Sequence, residues 1–222
     1  MGLPAVANDA VFESVKAAED IEPSTDPNLL FWREARSVFA ERGNFGEFRE
    51  RHRTEIRSRW TENSLYFLFI CPYENLHLNR APQTVRETFG LWNWDVAEVF
   101  IGSDFENIRR YKEFEISPQG EWVDLDIDLA NPRHEDGWVW KSDLAAAACI
   151  DSVAKIWYGA MRIPFPALQG RPAEAGQIFR VNLFRTEGAE ADRVAVQWQP
   201  TGARTFHVPE QFGQLRLTDL SK

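Results

Sequence analysis

Along most of the chain, apolar and polar residues alternate with a period of two, in short stretches separated by Gly, Pro, Asn and Ser. Residues 54–60 set Ile56, Ser58 and Trp60 against Glu55, Arg57 and Arg59, the pattern of a strand with one buried face. Turn residues Thr61, Glu62, Asn63 and Ser64 lead into residues 65–70, which are apolar on both parities. That run predicts a central strand covered on both faces, ended by Pro72, which has no N–H for a ladder. Residues 11–17 read as a short edge strand. Further strands are predicted at 95–102, 110–116, 121–129, 145–152, 155–163, 178–185, 194–198 and 213–218. A single helical turn is expected around 30–35, and residues 73–91 form a loop long enough to be functional. Alanines 145 to 148 favour helix by propensity, but the run is short and flanked by Cys149 and Ile150, so it is read as strand.

About ten short strands without a βαβ rhythm predict an all-β fold, a two-sheet antiparallel β-sandwich of jelly-roll type. One domain is expected over residues 11–218, with a flexible arm at 1–10 and a tail at 219–222. The 222 residues, 44% hydrophobic with 9 Trp and 16 Phe, supply a core and leave aromatic rings over for a surface role. A formal charge of −9 repels a phosphate backbone, which excludes nucleic acid as a partner. The densest basic stretch, 49–59, is interrupted by Glu50 and Glu55. No apolar run approaches membrane-spanning length, so no membrane partner is expected. The start lacks a basic region followed by an apolar one. Compartment is therefore open, extracellular or periplasmic if a leader precedes the chain, and oligomeric state is equally unspecified. Cys71 and Cys149 lie inside apolar runs and are expected to be buried thiols.

The four histidines, His52, His77, His134 and His207, belong to no Gly-x-Ser-x-Gly elbow and no metal-binding His spacing, so a hydrolase triad has no local support. Asp124, Asp126 and Asp128 share one parity of a strand. They read either as a solvent-facing acidic stripe or as part of a structural calcium site, which would need further oxygens from elsewhere. Asp104, Glu106 and Asn107 form a second oxygen-rich cluster of the same kind, and no other cofactor is implied. Glu98 and Glu115 would suit glycoside hydrolysis only at a defined separation across a cleft. Aromatics carry more information. A sugar ring has an apolar C–H face and a rim of hydroxyls, so its site wants flat aromatic planes edged by amides and carboxylates. Trp92 and Trp94, and Trp198 with Gln197 and Gln199, stand beside such groups at strand ends; a role in closing the core is the alternative for each.

The ordered motifs point further. Phe31-Trp32, Thr54-Glu55-Ile56-Arg57, Trp92-Asn93-Trp94-Asp95 running into Glu98, Tyr111-Lys112-Glu113-Phe114-Glu115, Arg162-Ile163-Pro164-Phe165, Phe179-Arg180-Val181-Asn182 and Phe206-His207-Val208-Pro209 together resemble the family 9 carbohydrate-binding modules and their stand-alone relatives. The resemblance implies a β-sandwich that is not an enzyme and that holds the end of a saccharide between two tryptophans. By that likeness Trp92 and Trp198 are the stacking pair and Glu98 accepts sugar hydroxyl hydrogens. Ser117, Gln119, Gln197 and Trp94 fall where other contacts are made. Two alternatives stand beside it. One is a b-type haem electron-transfer domain of related sandwich fold, with Met161 and His77 as ligands. The other is an interaction domain whose sugar site has been retired.

Overall fold

A computed structural model describes residues 10–130 and 138–219. His134 and most of the expected arm and tail lie outside the described residues. The strands are β1 (Val11–Lys16), β2 (Arg36–Ala40), β3 (Thr54–Trp60), β4 (Ser64–Pro72), β5 (Val96–Gly102), β6 (Arg110–Ile116), β7 (Trp122–Asp128), β8 (Ala145–Asp151), β9 (Ile156–Pro164), β10 (Ile178–Glu187), β11 (Val194–Gln197) and β12 (Gly213–Thr218). The all-β sandwich-like architecture agrees with the sequence pattern. No helix among the described residues is long and apolar enough to cross a membrane.

Hydrogen bonding follows one path, β7-β6-β5-β10-β12-β1-β3-β4-β9-β8, with β11 added to β10 and β2 to β3. The two halves pack face to face but are not separate sheets, because β1 pairs in parallel with β12 on one side and β3 on the other. Residues 11–17 thus form a bridging strand rather than an edge, and the pairing is not wholly antiparallel. Arg59 explains the attachment to β3. Its buried guanidinium donates to the carbonyls of Val15 (2.9 Å), Lys16 (2.8 Å) and Phe31 (3.0 Å) and to Glu34 (3.1 Å), so acceptors on β1 satisfy a charge that would otherwise be stranded.

Three apolar layers result. The central one fills the space between the halves: Val99 and Ile101 of β5, Phe114 and Ile116 of β6, and Val181 and Leu183 of β10 meet Phe67, Phe69, Trp157, Met161 and Ile163. A second layer lies outside β4 and β9, where Trp32 covers Tyr66, Leu68 and Ala160. This cover is why residues 65–70 are apolar on both parities. The helical turn Leu30–Arg33 delivers Trp32, whose indole N–H donates to the Ser24 carbonyl at 2.7 Å. The third layer, outside β5, β6, β7 and β10, gathers Leu91, Val96, Phe100, Tyr111, Leu125, Trp138 and Phe184.

Strand β2 has no alternation strong enough to read from sequence; it exists because Arg36–Ala40 adds to β3 in register from Arg36 opposite Ser58 to Ala40 opposite Thr54. The alanine run does form a strand, paired along β9. Cys71 is buried as expected, its thiol pushed up to about 12 by desolvation. Cys149 is exposed instead, because β8 is the last strand of the path and has no cover there.

Replacing Trp32 by Ala empties the second layer and strands the Ser24 carbonyl, so we expect Trp32→Ala to lower unfolding free energy by about 3–5 kcal/mol in urea titration. Leu30→Ala, on the exposed side of the same turn, should change it by less than about 0.5 kcal/mol. Equal effects would show that Trp32 does not carry the layer.

Candidate functional site

The outer face of β5, β6, β7 and β10 forms the floor of a cavity of about 410 Å³. Strand alternation decides what faces it. With Val99, Phe114 and Leu183 turned into the central core, Glu98 and Phe100, Glu113 and Glu115, Leu125, and Thr186 must point outward. Register then brings the acids together: Glu98 stands directly opposite Glu115, and Glu113 opposite Phe100. One oxygen of each of the three carboxylates lies within 4.8 Å of the others.

Loops raise the walls. Trp92, Trp138, Phe206 and His207 line them, with Asn44, Arg193 and Arg204 also on the cavity. Trp92 sits on the short turn Leu91–Asn93, entered through Gly90 at φ 81°, a conformation that favours glycine. The Asn93 side chain closes the turn by donating to the Gly90 carbonyl at 2.9 Å. Arg193 braces the turn from the opposite loop, donating to the carbonyls of Trp92, Asn93 and Trp94. Asp95 ties the same loops together by accepting from the Gly188 N–H (2.7 Å) and the His77 N–H (3.0 Å). Phe206 stacks on Phe184 with centroids 4.4 Å apart and planes 12° from parallel. The Tyr111 hydroxyl meets His207 Nδ1 at 2.6 Å.

The acids are costly where they lie. Glu98, Glu113 and Glu115 are 3%, 4% and 0% exposed. Among the described residues, Glu98 accepts only a long hydrogen bond from the Thr186 hydroxyl, at 3.4 Å. Among the described residues, neither oxygen of Glu115 and not Oε2 of Glu113 has a hydrogen-bond donor outside the acid cluster. Like charges directly opposite on a sheet repel, and two ionised carboxylates at this spacing cost roughly 3–4 kcal/mol at an effective dielectric near 20. Burial, then the neighbouring carboxylates, push Glu98 and Glu115 well above the usual carboxylate range, opposed by Arg193. Burial lifts Glu113 to about 7, against a hydrogen bond with Glu115 that lowers it.

Of the residues singled out from sequence, Trp92 and Glu98 line this cavity. Trp198 does not: it packs against the central core, 6.1 Å from Phe12 between ring centroids, and next to Gly213, where a Cβ would come within 2.6 Å of its ring. The structure therefore places the two expected stacking rings in different layers. The physical reason is register, since Gln197 pairs with Phe184 on the cavity side and Trp198 follows opposite core-facing Leu183. Gln197 is buried and spent on Asn44 (2.8 Å) and the Thr201 N–H (3.0 Å). Ser117 organises the β6–β7 turn, its hydroxyl accepting from the N–H groups of Gln119 and Glu121, and Gln119 belongs to that turn. Trp94 packs against the third layer.

The other candidates are dispersed. Asp124 accepts from the Ser142 hydroxyl at 2.5 Å, Asp126 pairs with Lys112 and Asp128 with Arg110, so the three do not form a solvated stripe. Asp104 accepts from two N–H groups of its own turn. Met161 is enclosed in the central core and His77 lies in the loop bonded to Asp95; neither lines the cavity. Sequence reasoning passed over Glu113, although it shares a parity with Glu115 in a strand whose limits were correctly read. Arg193, Trp138 and Phe206 come from loops, where no period marks a direction.

No protein-family model matches the chain, and neither does any curated protein sequence. Solved structures do match, and they define the class: the chain has the fold of the family 9 carbohydrate-binding modules. One such module from Caldicellulosiruptor kristjanssonii, solved with cellotriose, aligns at TM-score 0.67 and 12% identity over 96% of both chains. The same organism's module with glucose aligns at 0.65 and 10% identity, over 95% of this chain and 97% of the other. A Bacteroides uniformis protein with a proposed carbohydrate-binding role aligns at 0.73 and 16% identity, covering 93% of this chain and 98% of its own.

The acidic floor sets a pH dependence. A carboxyl whose pKa is raised on folding holds its proton more firmly in the folded state, so stability declines as pH climbs from the unfolded value to the folded one. For Glu113 that window runs from 4.5 to about 7, and it extends higher for Glu98 and Glu115. In chelator-treated buffer the melting temperature should fall as pH rises from 4.5 to about 7 and go on falling above it, by roughly 2–4 °C for each kcal/mol lost. Glu113→Gln with Glu115→Gln should flatten that decline. An unchanged slope in the double variant would place the titrating groups elsewhere.

Proposed function

We propose that the cavity binds the end of a saccharide without acting on it chemically. The observation that carries this reading is a pocket with partly exposed aromatic rings, Trp92 and Phe206, above a carboxylate floor that includes Glu98. Flat rings suit the C–H face of a pyranose and carboxylates accept its hydroxyl hydrogens. The shared fold with modules solved around cellotriose and glucose adds support. In this reading Trp92 is one platform, Phe206 takes the part first expected of Trp198, and Glu98 orients the ring. A binding rather than hydrolytic role is favoured because Glu98, Glu113 and Glu115 sit side by side on one floor, whereas a glycosidase sets its acid and its base or nucleophile on either side of the scissile bond.

Titration with glucose and cellotriose, followed by calorimetry and indole emission, tests it. Trp92→Ala and Phe206→Ala should each weaken binding by about 1–3 kcal/mol, while Trp198→Phe should leave it within about 0.5 kcal/mol. No heat and no emission change with either sugar at millimolar concentration would refute the reading, and release of reducing ends from cellotriose would refute its non-catalytic part.

A further inference from the structure

The floor of the cavity holds more acidic groups than a neutral sugar requires. A single acid is enough to orient hydroxyls, yet three converge, and the deepest of them, Glu115, is fully buried and has no donor among the described residues outside the acid cluster itself. Buried polar groups are normally satisfied. The aspartates of the other acidic clusters each have at least one donor or counter-charge: Asp124 accepts through Oδ2, though its Oδ1 has none among the described residues, Asp126 and Asp128 face Lys112 and Arg110, and Asp104 has backbone donors.

We propose that Glu98, Glu113 and Glu115 together bind a divalent cation of calcium type at the bottom of the cavity. Their oxygens lie within 4.8 Å of one another; three oxygens about 4.2 Å apart share one ion at a calcium–oxygen distance of about 2.4 Å, so side-chain shifts of a few tenths of an ångström bring all three onto it. The donor set is carboxylate only, with no thiol or imidazole in the trio, which selects a hard ion over zinc or copper. Magnesium sheds water reluctantly and favours sites that leave it several waters; an acid as enclosed as Glu115 suits calcium better. An ion of charge two, with the Arg193 guanidinium at the rim, balances the three negative charges. The Thr186 hydroxyl beside Glu98 is a further oxygen at the site. The remaining coordination positions open toward the cavity, where two neighbouring sugar hydroxyls can fill them; that last feature rests on the saccharide reading, and the ion site itself does not.

The test titrates the chelator-treated chain with calcium chloride by calorimetry and with terbium by luminescence sensitised through Trp92 and Trp138, at about pH 7.5, where a metal ion can displace the protons that carboxyl ligands hold. Saturable one-site uptake with an affinity better than about 1 mM, accompanied by a rise in melting temperature, is expected for the native chain. In E113Q/E115Q, uptake should weaken at least about tenfold and the thermal response disappear. Because the glutamines also remove the repulsion, this variant should melt no lower than the native chain without metal, which separates loss of binding from loss of fold. Absence of uptake in the native chain, or undiminished uptake in the variant, overturns the proposal. Glucose titrated with and without calcium separates the two readings: calcium uptake without any glucose binding leaves the ion site standing and removes the saccharide, whereas glucose binding in chelator with no calcium uptake does the reverse.

Discussion

Pairing of β5 with β6, with Glu98 opposite Glu115, is the constraint from which the cavity follows. It is held by the opposite face, where Val99, Ile101, Phe114 and Ile116 fill the space between the sandwich halves. A slip of one residue would carry those side chains out to solvent and drive the carboxylates into the hydrocarbon interior. The cost of crowding like charges is thus met by burying large apolar side chains on the other face, and the acids cannot disperse without dismantling the core. Polar side chains held this firmly by packing are pre-organised for whatever positive or hydroxyl-bearing group enters.

Most of the architecture was legible from residue alternation because sheet faces are a simple periodic code. Thr54–Trp60 and Arg110–Ile116 have the limits their alternation indicates, and the doubly apolar Ser64–Pro72 is covered on both faces. What alternation cannot say is which strand lies beside which. Strand β1 reads as an edge because its sequence carries no trace of the Arg59 guanidinium, forty-odd residues on, that fastens its carbonyls.

The cavity was half legible for the same reason. Trp92 and Glu98 stand near the start of a well-marked strand and both reach it. Trp198 misled, because its attractive neighbours, Gln197 and Gln199, say nothing about the face its ring takes; the close approach of Gly213 gives the ring room on the core side. Arg193 left no local sign at all, yet it gathers the carbonyls of the Trp92 turn from a hundred residues away. Loops position function here through hydrogen bonds made at long range, and those are invisible to a period.

The parallel pairing of β1 with β12 has a kinetic side. Val11 aligns with Gln214 and Val15 with Thr218, so the first strand acquires one of its neighbours only when the last has been made. Contacts of such sequence separation slow folding, since the chain entropy of closure is lost before the ladder gives anything back. The amino-terminal strand therefore waits with one margin of its backbone unpaired until β12 has been made, and the two halves of the sandwich are joined through it late.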